Sequence, residues 1–301
     1  MNRPGECILC LVSNRLRDLL QFKASESKMK AVLSDITGLL ELDRTRAFVE
    51  SFESVKKALG TVDPYSKRKS GLDQTARATV ALLRPLLEKA EPRHLLWLAA
   101  SANALDTYVL GYEFEETDMT AKLLLERPTI DDSLEIDWNS IRTIAYVLDN
   151  RGEVVFDVLV IERLVTQGYR LHVIARGMPY EIDVTAQEVQ ELVGKLPVKV
   201  ISTGTAYPAL YRKKVSSRVW NAIEASDLVV VKGIANFEAF LDTPVEACGK
   251  LFFLFRAKCP VLSEMLGVPQ GSSVIVSERR VLREVIRVDM GKASLHAICK
   301  Q

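Results

Sequence analysis

The chain has 301 residues, 48% of them hydrophobic, with 40 Lys and Arg against 39 Asp and Glu and a net charge of +1. That balance gives no electrostatic case for a nucleic-acid partner, and no apolar run reaches the ~18 residues of a membrane span. Five cysteines and three histidines fit neither a disulfide framework nor a zinc-hydrolase cluster, so a catalytic metal would rest mostly on oxygen ligands. The polar start of the chain, Met1 to Glu6, lacks a signal-peptide layout, and a cytoplasmic protein is expected.

Residues 1–138 read as a helical domain. Apolar residues recur at helical spacing through 11–20, 29–40, 46–59 and 72–87. Asp63-Pro64-Tyr65 breaks the pattern with a turn. The segment 99–109 is rich in small residues and suits close packing. Residues 139–301 change period and read as an α/β domain. Apolar runs rich in β-branched residues fall at 144–148, 170–175, 198–202, 228–232, 251–255 and 273–277. Helical patterns lie between them at 155–166, 186–196, 216–225, 237–241 and 260–266. Strands that are apolar throughout and alternate with helices predict a parallel sheet covered on both faces. The expected fold is α/β: a doubly wound, mostly parallel α/β/α sheet with an N-terminal helical bundle.

Ligands of such sheets bind beyond the carboxyl ends of the strands. After the first run come Asp149 and Asn150, adjacent oxygen ligands, then Gly152 for a tight turn and a helix start that attracts an anion. After the second comes Asp183, and the bland alternative is that Asp183 or Thr185 caps the next helix. After the third comes Ser202-Thr203-Gly204-Thr205, which suits phosphate oxygens or is only a turn. After the fourth, Lys232 stands beside a helix start as a candidate phosphate clamp. Two carboxylates and an amide oxygen suit Mg²⁺, Mn²⁺ or a similar cation. Cys7 and Cys10 form a C-x-x-C pair with three readings: small packed residues, a redox switch, or part of a metal site. Cys259 reads as a buried helix-start residue, and Cys248 and Cys299 carry no signal.

Leu148-Asp149-Asn150-x-Gly152-Glu153-x-x-Phe156-Asp157 resembles the signature of the damage-control phosphatases, a metal-dependent family long filed as a domain of unknown function. Arg176-Gly177-x-Pro179 running on to Asp183-Val184-Thr185 resembles its second motif. Lys232-Gly233-x-x-Asn236-Phe237-Glu238 resembles its third. Lys258-Cys259-Pro260-Val261 resembles the segment near its C-terminal end. In the helical half, Cys7-x-x-Cys10, Asp63-Pro64-Tyr65 and Asn103-Ala104-Leu105-Asp106 resemble features of its prokaryotic branch. The chain departs from the family pattern at Ile182, at Ala235 and across 207–210.

The resemblance implies an α/β/α core with an added helical bundle. It implies a divalent metal (Mn²⁺, Co²⁺, Ni²⁺ or Mg²⁺) on Asp149, Asn150 and Asp183. It implies hydrolysis of phosphate monoesters of small metabolites, with sugar phosphates and damaged phosphometabolites as candidate substrates. Phosphate contacts are expected from Lys232, Gly204 and Thr205, with Asn103 closing the site from the helical part. Asp149 attacks phosphorus itself, or Asp183 or Glu153 orients an attacking water. Two other readings are a metal- or phosphometabolite-binding protein without turnover, and a methyltransferase on the same architecture. The last predicts a glycine-rich turn after the first strand, and Asp149-Asn150-Arg151-Gly152 is a poor one.

Overall fold

Each apolar run read from the sequence becomes a strand. The computed structural model of the chain describes residues 4–105, 126–285 and 296–297. Of the motif residues and segments singled out above, Asp106, 106–109 and Cys299 lie outside them.

Five helices come first: α1 (Pro4–Gln21), α2 (Glu26–Leu39), α3 (Arg44–Leu59), α4 (Ser66–Leu83) and α5 (Pro92–Ala102). Asp43 starts α3 by accepting the Arg46 N–H at 3.0 Å. The pattern expected to run to residue 87 ends at Leu83. Pro85 lacks the N–H that continues a helix, and a short 3₁₀ turn over Pro85–Leu87 replaces it.

The sheet strands are β1 (Ile130–Asp131), β2 (Thr143–Val147), β3 (Arg170–Ala175), β4 (Lys199–Ser202), β5 (Leu228–Lys232), β7 (Leu251–Arg256) and β8 (Ser273–Ser277). A separate two-stranded pair joins β6 (Val245–Glu246) to β9 (His296–Ala297). Between the strands lie α6 (Glu153–Thr166), α7 (Ala186–Val193), α8 (Ser217–Glu224), α9 (Ile234–Asp242) and α10 (Pro260–Leu266). The seven sheet strands run in the order β1-β8-β7-β5-β2-β3-β4. β2, β3, β4, β5 and β7 are mutually parallel, while β8 runs antiparallel to β7 and carries β1 at the edge. The fold is therefore the expected mostly parallel α/β sandwich. One strand, β1, comes from ahead of residue 138, in the half that reads as helical.

Alternate residues of each strand point to opposite faces. Ala145, Val147, Val229, Val231, Phe253 and Phe255 pack with Leu19, Val32, Phe52 and Val55 of α1–α3, and with α8 and α9. Ile144, Tyr146, Val173, Val230 and Leu254 pack with Val80 and Leu83 of α4, and with α5, α6 and α7. The N-terminal helices thus share both core layers with the sheet. Among the described residues no helix is long and apolar enough to cross a membrane.

Candidate active site

The chain passes from β2 to β3 and β4 on one side, and later returns to place β5 on the other side of β2. This reversal opens a crevice between the carboxyl ends of β2 and β5, where ligands of open sheets bind. A cavity of about 90 Å³ lies there, lined by Asp149, Asn150 and Asp183 together with Ile234, Ala235 and Glu238 of α9.

Backbone pairing holds the three candidate ligands together. The loops after β2 and β3 join in an antiparallel bridge between Asn150 and Asp183. Val184 N–H donates to Asp149 O at 2.8 Å, and Arg151 N–H donates to Ile182 O at 2.9 Å. Asn150 Nδ2 donates to Asp149 Oδ2 at 2.7 Å. The Arg176 guanidinium donates to the Asp183 carboxylate and to Ala206 O, and lies 4.5 Å over the Tyr180 ring. The α7 cap falls to Thr185, in a reciprocal capping box with Glu188, so Asp183 is not needed there. All three side chains are buried to 5% exposure or less. Two carboxylates and an amide on one small wall fit a hard divalent cation. Among the described residues no three His, Cys, Asp or Glu side chains form a metal cluster; this trio contains only two such residues.

Two glycines make the approach possible. Gly233, with φ +81°, lies so close to Asp149 that a Cβ there would collide with the carboxylate. A Cβ on Gly177 would strike the backbone of Gly204. Gly233 also precedes α9 without a side-chain cap, so the positive end of that helix faces the cavity through Ile234 and Ala235. The start of α6, expected to attract an anion, is filled by the protein's own carboxylates. Asp73 of α4 accepts Gly152 N–H at 2.9 Å, and Glu153 accepts Asn150 N–H at 2.9 Å. Asp73 also pairs with the Arg151 guanidinium.

Lys232 is placed differently from the expectation of a phosphate clamp. Its Nζ is fully buried against Asp157, at 2.9 and 3.1 Å, with Glu153 at 3.6 Å, and it does not line the cavity. Burial works against the ammonium, but Asp157 and Glu153 outweigh it and the net shift is upward. Burial pushes the Asp157 carboxyl up to about 6 against the pull of Lys232. Tyr146, buried and beside Asp157, donates to it at 2.6 Å and is pushed well up.

Asn103 also stands behind the cavity. Its Nδ2 donates to Glu153 at 2.9 Å and to Asp149 at 3.5 Å, and its Oδ1 accepts Arg256 N–H at 3.1 Å. Gly204 and Thr205 support the second loop from below: Gly177 N–H donates to Thr205 O at 2.8 Å. Neither lines the cavity. Of the family departures, Ile182 and residues 207–210 are buried in packing, and only Ala235 lines it.

The helical half supplies the opposite wall, which the motifs did not reveal. Cys10 and Asn14 of α1 and Arg44 and Phe48 of α3 line it, as do Tyr180, Glu181 and Cys259. Arg44 pairs with Glu238 of α9. Arg15, wholly buried, pairs with Glu181 and with Asp18, at 3.0 Å in the latter case. The signal available in the sequence was only a pair of arginines on apolar helix faces. Cys7, Cys10 and Cys259 are not disulfide-bonded and line one adjoining pocket of about 260 Å³. Cys248, which carried no signal, is disulfide-bonded.

An α/β/α sheet with an acid–amide cradle at its switch point, beside a helix N-terminus, defines a class of proteins that handle phosphate esters through a divalent cation. The damage-control phosphatase ARMT1-like domain matches residues 4–274, and the chain belongs to that family. It is 28% identical over 232 residues to a damage-control phosphatase of Pyrococcus horikoshii, covering 76% of this chain and 79% of the relative. It is 26% identical over 226 residues to a damage-control phosphatase of Archaeoglobus fulgidus, covering 73% and 77%. The crystal structure of a DUF89 family protein from Pyrococcus horikoshii superposes with a TM-score of 0.78 at 24% identity, over 91% of this chain and 98% of the other. That likeness concerns the fold.

Proposed function

We propose that this chain hydrolyses phosphate monoesters of small metabolites, with a divalent cation held by Asp149, Asn150 and Asp183. The observation that carries the reading is the Asn150–Asp183 bridge, which sets two carboxylates and an amide on one cavity wall beside the start of α9. A bound cation, Mn²⁺, Co²⁺, Ni²⁺ or Mg²⁺, would supply Lewis acidity to the phosphoryl group. The chain's own residues do the rest. Backbone N–H groups at the start of α9 take phosphoryl oxygens. Arg176 fixes the Asp183 carboxylate. Lys232 acts from beneath, keeping Asp157 and Glu153 balanced so that the loop after β2 stays in place. Glu153 is wholly buried and does not line the cavity. That leaves two routes: Asp149 attacks phosphorus, or Asp183 orients an attacking water. A cytoplasmic location belongs to the same proposal. The lack of a disulfide at Cys7, Cys10 and Cys259 supports it, and the disulfide at Cys248 runs against it.

The test is hydrolysis of p-nitrophenyl phosphate after EDTA treatment and after adding back each metal. Activity that vanishes with EDTA and returns with a divalent cation is expected. No hydrolysis with any of the four metals would overturn the proposal and leave a binding protein.

A further inference from the structure

The loop that carries Asp183 turns on a backbone conformation that its sequence does not favour. Asp183 N–H donates to Tyr180 O at 2.9 Å and closes a tight turn with Glu181 and Ile182 at its centre. Glu181 has φ +41°, in the left-handed region. A turn with a left-handed first central residue favours glycine, asparagine or aspartate there. The Cβ of a glutamate is crowded in that region. Among the described residues, Lys23 and Cys248 are the other non-glycine residues with positive φ, and neither lines the cavity. Such a conformation persists at a non-glycine residue when its surroundings over-determine it.

Those surroundings are the N-terminal helices. Arg15 of α1 is wholly buried and pairs with the Glu181 carboxylate. Its guanidinium is itself held, 5.0 Å over the Phe52 ring and 3.0 Å from Asp18. Phe52 of α3 also meets the Tyr180 ring edge-on at 5.2 Å, and Lys56 of α3 donates to Pro179 O at 3.2 Å. Pro179, Tyr180 and Glu181 are thus fastened one after another to α1 and α3. Directly beyond them, Arg151 N–H donates to Ile182 O and Asp183 bridges to Asn150. That bridge forms only when the turn delivers Asp183 to it. With φ at its ordinary negative value, the chain would leave Glu181 in another direction.

Resting on the proposed reading of Asp183 as a cation ligand, we infer that Arg15 is a positioning residue, which through its ion pair with Glu181 holds the left-handed turn and so keeps Asp183 against Asn150. The Glu181 carboxylate serves Arg15 rather than the cation. The helical half then acts on the chemistry through the loop after β3, without touching the reacting atoms. The link is conformational, so a residue that adopts the left-handed turn unaided makes the ion pair dispensable.

The test compares two truncations of one side chain. Glu181→Ala and Glu181→Gly both delete the carboxylate, but only glycine takes the left-handed conformation without crowding. Hydrogen exchange at the Asp183 N–H of the metal-free protein reads the turn directly. Glu181→Ala should speed that exchange roughly fivefold or more over wild type, and Glu181→Gly should stay within about threefold. Mn²⁺ affinity, measured by calorimetry, should follow the same order. Arg15→Met should behave like Glu181→Ala, and adding Glu181→Gly to it should recover most of the loss, a coupling that independent sites do not show. Equal losses of Mn²⁺ affinity in the alanine and glycine variants would make Glu181 a ligand and overturn the inference. Unchanged exchange in Glu181→Ala would reduce the pair to a structural tie and overturn it too. If Arg15→Met misfolds, the alanine and glycine variants decide alone. A wild type that shows the exchange pattern but binds no Mn²⁺, or binds it and cleaves no ester, keeps Arg15 as the holder of the turn and loses the phosphatase reading.

Discussion

The two walls of the cavity follow different rules. The strand-end wall is fixed by backbone. The bridge between Asn150 and Asp183, the bonds at Val184 and Arg151, and the bare Gly233 leave its polar groups one arrangement. The helical wall is fixed by side chains alone. Arg44 reaches Glu238, Arg15 reaches Glu181, and neither pair shares a backbone ladder. A wall held by register keeps its chemistry when its surroundings vary. A wall held by long ion pairs changes its preferences with single substitutions.

Three substitutions would break or sharpen this contrast. The largest effect is expected at Asp183→Ala. It removes one proposed ligand without touching the helical wall, and should lower metal-dependent kcat/KM by a thousandfold or more, about 4 kcal/mol. Retention of a tenth of the activity would mean that the strand-end wall is not the reactive one. Next is Lys232→Met, which strands Asp157 and Glu153 in the core. Removing one partner of a buried pair costs roughly 3–5 kcal/mol, so the denaturation midpoint should fall sharply. A variant of unchanged stability but altered phosphate affinity would return Lys232 to the role of a clamp.

The smallest effect is a pH dependence on the helical side. Burial raises the Asp18 carboxyl from its ordinary 3.8 to about 6, against the pull of Arg15. Between those values the folded state holds a proton that the unfolded chain has lost. Stability from this group is therefore present at low pH and is lost as pH rises through about 6. Asp18→Asn removes the titration. Its melting temperature should gain on wild type as pH rises from 4 to 7, and a constant difference across that range would refute the assignment.

The sequence displays the two walls unequally. The strands were legible because β-branched runs between helices have one economical fold. Asp149 and Asn150 were legible as a candidate pair because they follow the end of β2 directly, whereas Asp183 lies well past the end of β3 at Ala175. The antiparallel β8 was readable as a strand but not by direction, since direction depends on the connection from β7. β1 spans only Ile130–Asp131, too short to give a period. Lys232 was read as a clamp because its partner, Asp157, sits on α6 and only folding brings the two together. The link between Arg15 and Glu181 spans 166 positions, and no local pattern encodes it.

The closeness of Gly233 to Asp149 offers an experimental tool. Gly233→Ala would keep every acid, amide and base of the crevice in the sequence while evicting the carboxylate from its seat. Such a protein is a stricter blank than any acid-to-alanine change for trapping or metal-titration work, because its inventory of functional groups is complete and only their placement is spoiled.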